Sequence, residues 1–252
     1  MVNILICGAN GKMGAKVKEN LKDFESAKAV CGVDLKEDFS DANFKIYSSF
    51  DDVKEKVDAV IDFSSPKSLP SIVKFCETKG VAAVLCSTGY SEKEKAEIKK
   101  LSEKTAVFRS ANMSIGVNVL VSAVKAAAKN LYGFDVEIVE KHHNKKVDAP
   151  SGTAIMLASA VKDAHPDYKE VYGRSGIVGA RDKNEIGIHS VRGGTIVGEH
   201  QVIFAGNNEV LTFSHEALSR DVFAVGAINA AVFIKDKAPG IYDMNDMLNG
   251  NA

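Results

Sequence analysis

Val2-Asn3-Ile4-Leu5-Ile6-Cys7-Gly8-Ala9-Asn10-Gly11-Lys12-Met13-Gly14 decides the architecture of the N-terminal half of the chain. Val2 to Cys7 is a short apolar run, the pattern of a strand buried on both faces. It leads directly into Gly8, Gly11 and Gly14 at G-x-x-G-x-x-G spacing. Met13, Val17, Leu21 and Phe24 then make one apolar stripe at helical spacing. Strand, glycine-rich turn and helix, in that order, is the context a dinucleotide-binding fingerprint requires. Gly8 makes the tight turn, Gly11 admits a pyrophosphate to the helix N-terminus, and Gly14 lets helix and strand pack closely. A glycine pattern also occurs in ordinary turns, so the next strand matters. It runs Ala29-Val30-Cys31-Gly32-Val33-Asp34 and ends in an acid about 20 residues past the last glycine, where a carboxylate bonds adenosine ribose hydroxyls. Lys36, just beyond, reads either as a solvated lysine or as a neighbour for a 2′-phosphate.

The alternation continues outward from there. Strands are expected at Asp58 to Phe63, Val81 to Cys86 and Thr105 to Arg109. Between them lie a helix from Lys67 to Lys79 with Gly80 as its stop and a charged helix opened by the capping box Ser91 and Glu94. That is the pattern of an α/β, Rossmann-like doubly wound parallel sheet. Ligands of such sheets lie at the carboxyl ends of the strands. The loops Phe63 to Pro66, Cys86 to Gly89 and Ser110 to Ser114 are therefore expected to face a cofactor. Each alone reads as an ordinary turn; their recurrence at one sheet edge favours function.

Ile115 to Leu131 is an apolar helix leading to a second, smaller α+β domain with an open mixed or antiparallel sheet. Its strands are expected at Phe134 to Val139, Ile186 to Arg192, Thr195 to Phe204 and Glu209 to His215, with a hairpin turn at Gly206-Asn207-Asn208. Asp163 to Asn184 reads as a polar segment. The open face suits oligomer packing. A last apolar helix, Val222 to Ile234, is expected to return to the first domain. The dinucleotide-binding domain is then discontinuous, 1-113 and 217-252, around a substrate-binding and oligomerisation domain, 114-216, with hinges near 114 and 217.

The chemistry concentrates between Glu140 and Ala154, EKHHNKKVDAPSGTA, on a strand-to-helix connection. His142 or His143 can pass a proton near neutral pH. Lys145 and Lys146 offer positive charge. Ser151, Gly152 and Thr153 open a helix, where backbone N–H groups attract an anion, and Gly152 permits close approach. The plain alternative is a solvated charged loop with Pro150 and Ser151 starting a helix. Arg192, in Ser190-Val191-Arg192-Gly193-Gly194-Thr195, reads as a holder of either a carboxylate or an interface acid.

The chain has 252 residues, 45% hydrophobic and 26% charged, with a formal net charge of -1. That is a globular composition with chain enough for two domains, and it carries no electrostatic case for nucleic acid or a membrane surface. No apolar run is long enough to span a bilayer, and the N-terminus lacks the pattern of a signal peptide. Cys7, Cys31, Cys76 and Cys86 are scattered without a C-x-x-C, so they are expected to be reduced and structural in a cytoplasmic protein, with no metal site.

At this point the residues resemble the 4-hydroxy-tetrahydrodipicolinate reductase (dihydrodipicolinate reductase) family over essentially the whole chain. Glu140, His142, His143, Lys146, Asp148, Pro150, Ser151, Gly152, Thr153 and Ala154 meet its E-x-H-H-x-x-K-x-D-x-P-S-G-T-A pattern. Ser190 to Gly194 with Gly198-Glu199-His200, and Gly8 to Gly14, match too. The resemblance implies NADH- and/or NADPH-dependent reduction of a small cyclic dicarboxylate with loss of water, in lysine and diaminopimelate biosynthesis, by a homotetramer. It makes His142 the proton donor or acceptor and Lys146 a second proton donor, with His143, Ser151, Gly152 and Thr153 binding substrate. It implies cofactor contacts from Gly8, Ala9, Asn10, Gly11, Lys12, Met13, Asp34, Cys86, Ser87, Thr88, Ser110, Ala111, Asn112 and Met113. Three positions depart from the family: Cys86 stands for the usual glycine, Met113 for the usual aromatic, and Leu35 where some members carry arginine. Asp34 favours NADH, Lys36 could rescue NADPH, and members of the family often use both. The rival readings are another two-domain nicotinamide oxidoreductase of amino-acid metabolism and a non-catalytic nucleotide sensor, since the first domain serves many functions.

Overall fold

The computed structural model of the protein describes residues 1–250. In chain order the elements are β1 (Val2–Cys7), α1 (Lys12–Asn20), β2 (Ala27–Val33), β3 (Lys45–Tyr47), β4 (Ala59–Asp62), α2 (Leu69–Lys79), β5 (Ala82–Leu85), α3 (Glu92–Ser102) and β6 (Ala106–Arg109). Next come α4 (Ile115–Asn130), β7 (Asp135–His142), α5 (Gly152–Lys162), β8 (Lys169–Tyr172), β9 (Glu185–Arg192), β10 (Gly198–Ala205) and β11 (Val210–Ala217). The last three are α6 (Asp221–Ile234), β12 (Gly240–Tyr242) and α7 (Met244–Asn249). They form two compact units, Met1–Ser114 with the chain from Arg220 onward, and Ile115–Ser219.

In the first unit seven parallel strands run in the order β12-β6-β5-β4-β1-β2-β3. Strand order reverses between β1 and β4, the switch point where such sheets open a crevice at the strands' carboxyl ends. The strands are short and almost wholly apolar because helices cover both faces. Leu5, Val60, Ala83, Leu85 and Val107 pack beneath Leu69, Ile72 and Phe75 of α2 and Ile98 and Leu101 of α3. On the other face α6 packs across β1, β4, β5 and β6, and α1 packs against α6. The expected caps form: Gly80 is left-handed at the end of α2, and Ser91 with Glu94 closes a capping box on α3. The short edge strands β3 and β12 and the helix α7 carry too few residues to show a sequence period, and the sequence reading did not include them.

The second unit holds a five-stranded mixed sheet in the order β11-β10-β7-β9-β8. β10 is antiparallel to β7 and β11, whereas β7, β9 and β8 are mutually parallel. Two helices cover this sheet: α4 and α5 share a core with Val136, Ile138, Ile186, Ile188, Val202 and Phe204. The segment read as polar contains β8. Nearby, Arg174 and Arg181 reach back to Glu137, so charge pairing holds a stretch with little apolar content against the sheet. The strand expected from Thr195 begins at Gly198, because residues 193–197 form the turn.

Candidate active site

At the carboxyl edge of the first sheet, β1 ends at Cys7 and Gly8 turns the chain with φ of 81°. A Cβ on Gly14 would stand 2.2 Å from the Gly8 carbonyl oxygen, so the turn and α1 touch there. No side chain caps α1, whose N-terminus opens at Gly11. An uncapped N-terminus behind a glycine turn suits a phosphate, through unpaired N–H groups and the helix dipole. Asp34, just past the end of β2, accepts the Asn10 backbone N–H at 2.9 Å and the Leu35 N–H at 2.7 Å, which ties the glycine turn to the acid.

Two cavities open along this edge. One of about 570 Å³ is lined by Gly8, Gly11, Asp34, Leu35, Phe63, Ser64, Ser65, Lys67 and Lys74, among others. The other, of about 210 Å³, is lined by Met13, Phe63, Cys86, Ser110, Ala111, Asn112, Met113 and Phe223. Phe63 contributes to both. The donor set fits a dinucleotide: a phosphate-accepting turn in the middle, an acid at the ribose position, and lysines in the larger cavity. Of the other expected contacts, Asn10 bonds the Lys36 carbonyl at 2.8 Å, Ser87 bonds Asp62, and Ala9 is buried. Lys12 and Thr88 are exposed. Lys36 is absent from the lining of the larger cavity, where Lys67 and Lys74 supply the cations; Lys74 is also paired to Asp51 at 2.9 Å. Sequence reading passed over both, since helix lysines are usually solvated.

In the second unit the alternation along β7 buries Val136, Ile138 and Glu140 on one face. Glu140 is 0% exposed. Arg192, at the end of β9, grips it with Nη1 at 2.8 Å and Nη2 at 2.7 Å. The Ser151 N–H donates to it at 3.1 Å, and His142 Nδ1 stands 2.6 Å away. Arg192 is thus the holder of an internal carboxylate, and it also bonds the Asp148 carbonyl at 2.8 Å. Burial opposes the charge on Glu140, but hydrogen bonds from Arg192, Ser190 and His142 outweigh it and hold the carboxyl at about 2. An ionised Glu140 only accepts, so the proton of His142 sits on Nδ1 and Nε2 is left for chemistry. Burial lowers the pKa of His142 despite Glu140, keeping the ring neutral near pH 7. A Cβ on Gly198 would meet His142 Nε2 at 3.1 Å, so glycine keeps that nitrogen clear.

Ser151 caps α5 by accepting the Ala154 N–H at 3.2 Å, and its Oγ lies 2.9 Å from His200 Nε2. His200 is 4% exposed, and burial pushes its pKa down to about 4. Its ring meets that of His142 edge-on at 5.2 Å. Lys146 is paired to Asp148 at 2.9 Å with 19% of its side chain exposed. His142 and Lys146 are therefore connected through Glu140, Arg192 and Asp148. Gly152 has nothing within 4 Å of a Cβ position, Thr153 is buried, and Lys145 is exposed. The Nδ1 of His143 is buried without a hydrogen-bond partner among the described residues. The sequence reading gave no role to Glu140 or His200. Their signal was present: each falls in phase with buried apolar neighbours along its strand.

Among the described residues no cluster of side chains fits a metal ion, and no helix is long and apolar enough to cross a membrane. The family described as "Dihydrodipicolinate reductase, N-terminus" matches residues 2–113, and "Dihydrodipicolinate reductase, C-terminus" matches residues 116–248. A 4-hydroxy-tetrahydrodipicolinate reductase of Caldanaerobacter subterraneus subsp. tengcongensis is 51% identical, covering 98% of each chain. One of Clostridium tetani is 49% identical over 99% of this chain and 98% of its own. Among solved structures, dipicolinate-bound dihydrodipicolinate reductase from Paenisporosarcina sp. TG-14 superposes with a TM-score of 0.80 at 25% identity. The match covers 97% of this chain and 99% of that one.

Proposed function

Because the chain belongs to the dihydrodipicolinate reductase family, we propose that the Glu140 network is its proton-handling and substrate-holding centre. The protein is an NAD(P)H-dependent oxidoreductase of lysine and diaminopimelate biosynthesis that reduces 4-hydroxy-tetrahydrodipicolinate to tetrahydrodipicolinate with loss of water. One hydride and one proton enter and one water leaves, so the site needs an acid as well as a seat for two carboxylates.

The carrying observation is the buried Glu140, which fixes His142 beside the N-terminus of α5. In this reading Lys146, ion-paired with Asp148, supplies a proton, and neutral His142 accepts or relays one at Nε2. His143, Ser151, Gly152 and Thr153 hold the carboxylates, with helix N–H groups and cations offsetting the charge. The first unit holds the nicotinamide cofactor, which supplies the hydride when bound. Gly8 to Met13 sit at the pyrophosphate and Asp34 at the ribose, while Cys86 to Thr88 and Ser110 to Met113 line the nicotinamide end. The face of the five-stranded sheet opposite α4 and α5, partly covered by the stretch that carries Arg174 and Arg181, suits packing against further copies in a homotetramer, and a biosynthetic reductase of this kind fits the cytoplasm.

The test monitors nicotinamide absorbance with the coupled synthase product as substrate. Lys146→Ala is expected to lower kcat by at least about 100-fold, the scale of a lost general acid. Near-normal turnover would remove Lys146 from the chemistry.

A further inference from the structure

A buried carboxylate ends β4 outside every role assigned above. Asp62 is 0% exposed. Among the described residues its hydrogen-bond partners are all neutral. Oδ1 accepts from the Ser64 N–H at 2.9 Å and from the Ser64 hydroxyl; Oδ2 accepts from Ser87 Oγ at 2.8 Å and Tyr90 OH at 3.4 Å. Such a group is costly to bury, because hydroxyl dipoles replace water only in part. An asparagine could tie the same loops, with its carbonyl facing Ser64 and its amide facing Ser87 and Tyr90, without burying a charge. Holding the loops together therefore does not account for an aspartate.

Asp62 sits where its charge reaches the cofactor cleft. Ser87, its partner, follows Cys86 out of β5, and Cys86 lines the smaller cavity with Met13 and Ser110 to Met113. After burial itself, the charge of Asp62 is the next influence pushing up the thiols of Cys7 and Cys86 and the phenol of Tyr90. Cys7 in turn precedes Gly8 and donates to Ser64 Oγ at 3.4 Å. The carboxylate thus lies between the glycine turn and the loop after β5.

We propose that Asp62 discriminates between the two redox forms of the cofactor. Its fixed negative charge beside the Cys86–Ser87 end of the cleft favours the oxidised nicotinamide ring, which is cationic, over the reduced ring, which is neutral. A site that binds the oxidised form more tightly makes the bound reduced form a better hydride donor, since the charge created by hydride loss is already offset. The inference rests on the nicotinamide lying at this end of the cleft.

Calorimetric titration of the full-length protein with NAD+ and with NADH tests it. Asp62→Asn is expected to raise the ratio of Kd for NAD+ to Kd for NADH about tenfold, the scale of one charge acting through an effective dielectric of about 20. Equal weakening of both, with the ratio unmoved, overturns the proposal and leaves Asp62 a brace for its loops. Should Asp62→Asn fail to fold, Asp62→Ser removes the same charge while keeping a polar group for Ser64 and Ser87. The same rise is then required, and an unchanged ratio refutes the proposal. If the wild-type protein binds neither form, the cofactor reading of the cleft itself falls.

Discussion

Glu140→Gln keeps the shape of a fully buried side chain and removes its charge. Two routes give the cost. A carboxyl held at about 2 in the fold, against an ordinary 4.5, contributes about 3 kcal/mol of stability. Independently, breaking a buried ion pair costs about 3–5 kcal/mol, and Arg192, whose side chain keeps 20% exposure, belongs at the lower end. Both place the loss near 3 kcal/mol. The folded pKa is depressed, so the contribution is complete above 4.5 and disappears as pH falls from 4.5 toward 2. Urea titrations of wild type and variant should therefore differ by about 3 kcal/mol at pH 7 and converge near pH 2. Turnover should fall on the order of 100-fold, because His142 loses the acceptor that fixes its tautomer, while NADH affinity holds. Equal stability at pH 7, or a gap that persists at pH 2, refutes the assignment of Glu140 as an ionised anchor.

Gly198→Ala sets a methyl 3.1 Å from His142 Nε2 and is expected to lower kcat about tenfold through misplacement of the ring, with folding nearly intact by circular dichroism. His200, held at about 4 against an ordinary 6.5, contributes stability that is complete above 6.5 and is lost as pH falls toward 4; His200→Asn should flatten that part of the wild-type stability profile. Leu35 is 99% exposed next to Asp34 and lines the larger cavity, so Leu35→Arg should tighten NADPH relative to NADH roughly tenfold in paired titrations.

The first unit was largely legible because its signals are local. Buried parallel strands read as unbroken apolar runs, Gly8 and Gly14 punctuate the turn, and Ser91 with Glu94 announces its own helix. The second unit was legible in its long strands but not in their pairing. Whether β9 lies parallel or antiparallel to β7 depends on where the chain between them travels, and periodicity carries no such information. β8 was missed because ion pairs, rather than apolar alternation, hold its neighbourhood.

The site divides in the same way. His142, Lys146 and Ser151 stood out because polar residues crowd one strand-to-helix connection, and the structure joins them in a single network. Glu140, His200 and Asp62 were not legible because each occupies a position where the strand pattern demands an apolar side chain. Their physics points the other way. A carboxylate or imidazole on a core face is costly unless partners are built for it, so a polar residue in apolar phase implies a network before any coordinates are known. On β7 the partner is Arg192 from the adjacent β9, and on β10 it is Ser151 at the cap of α5. Among the described residues Asp62 has no cation among its hydrogen-bond partners, so its network alone does not account for a charge at that position.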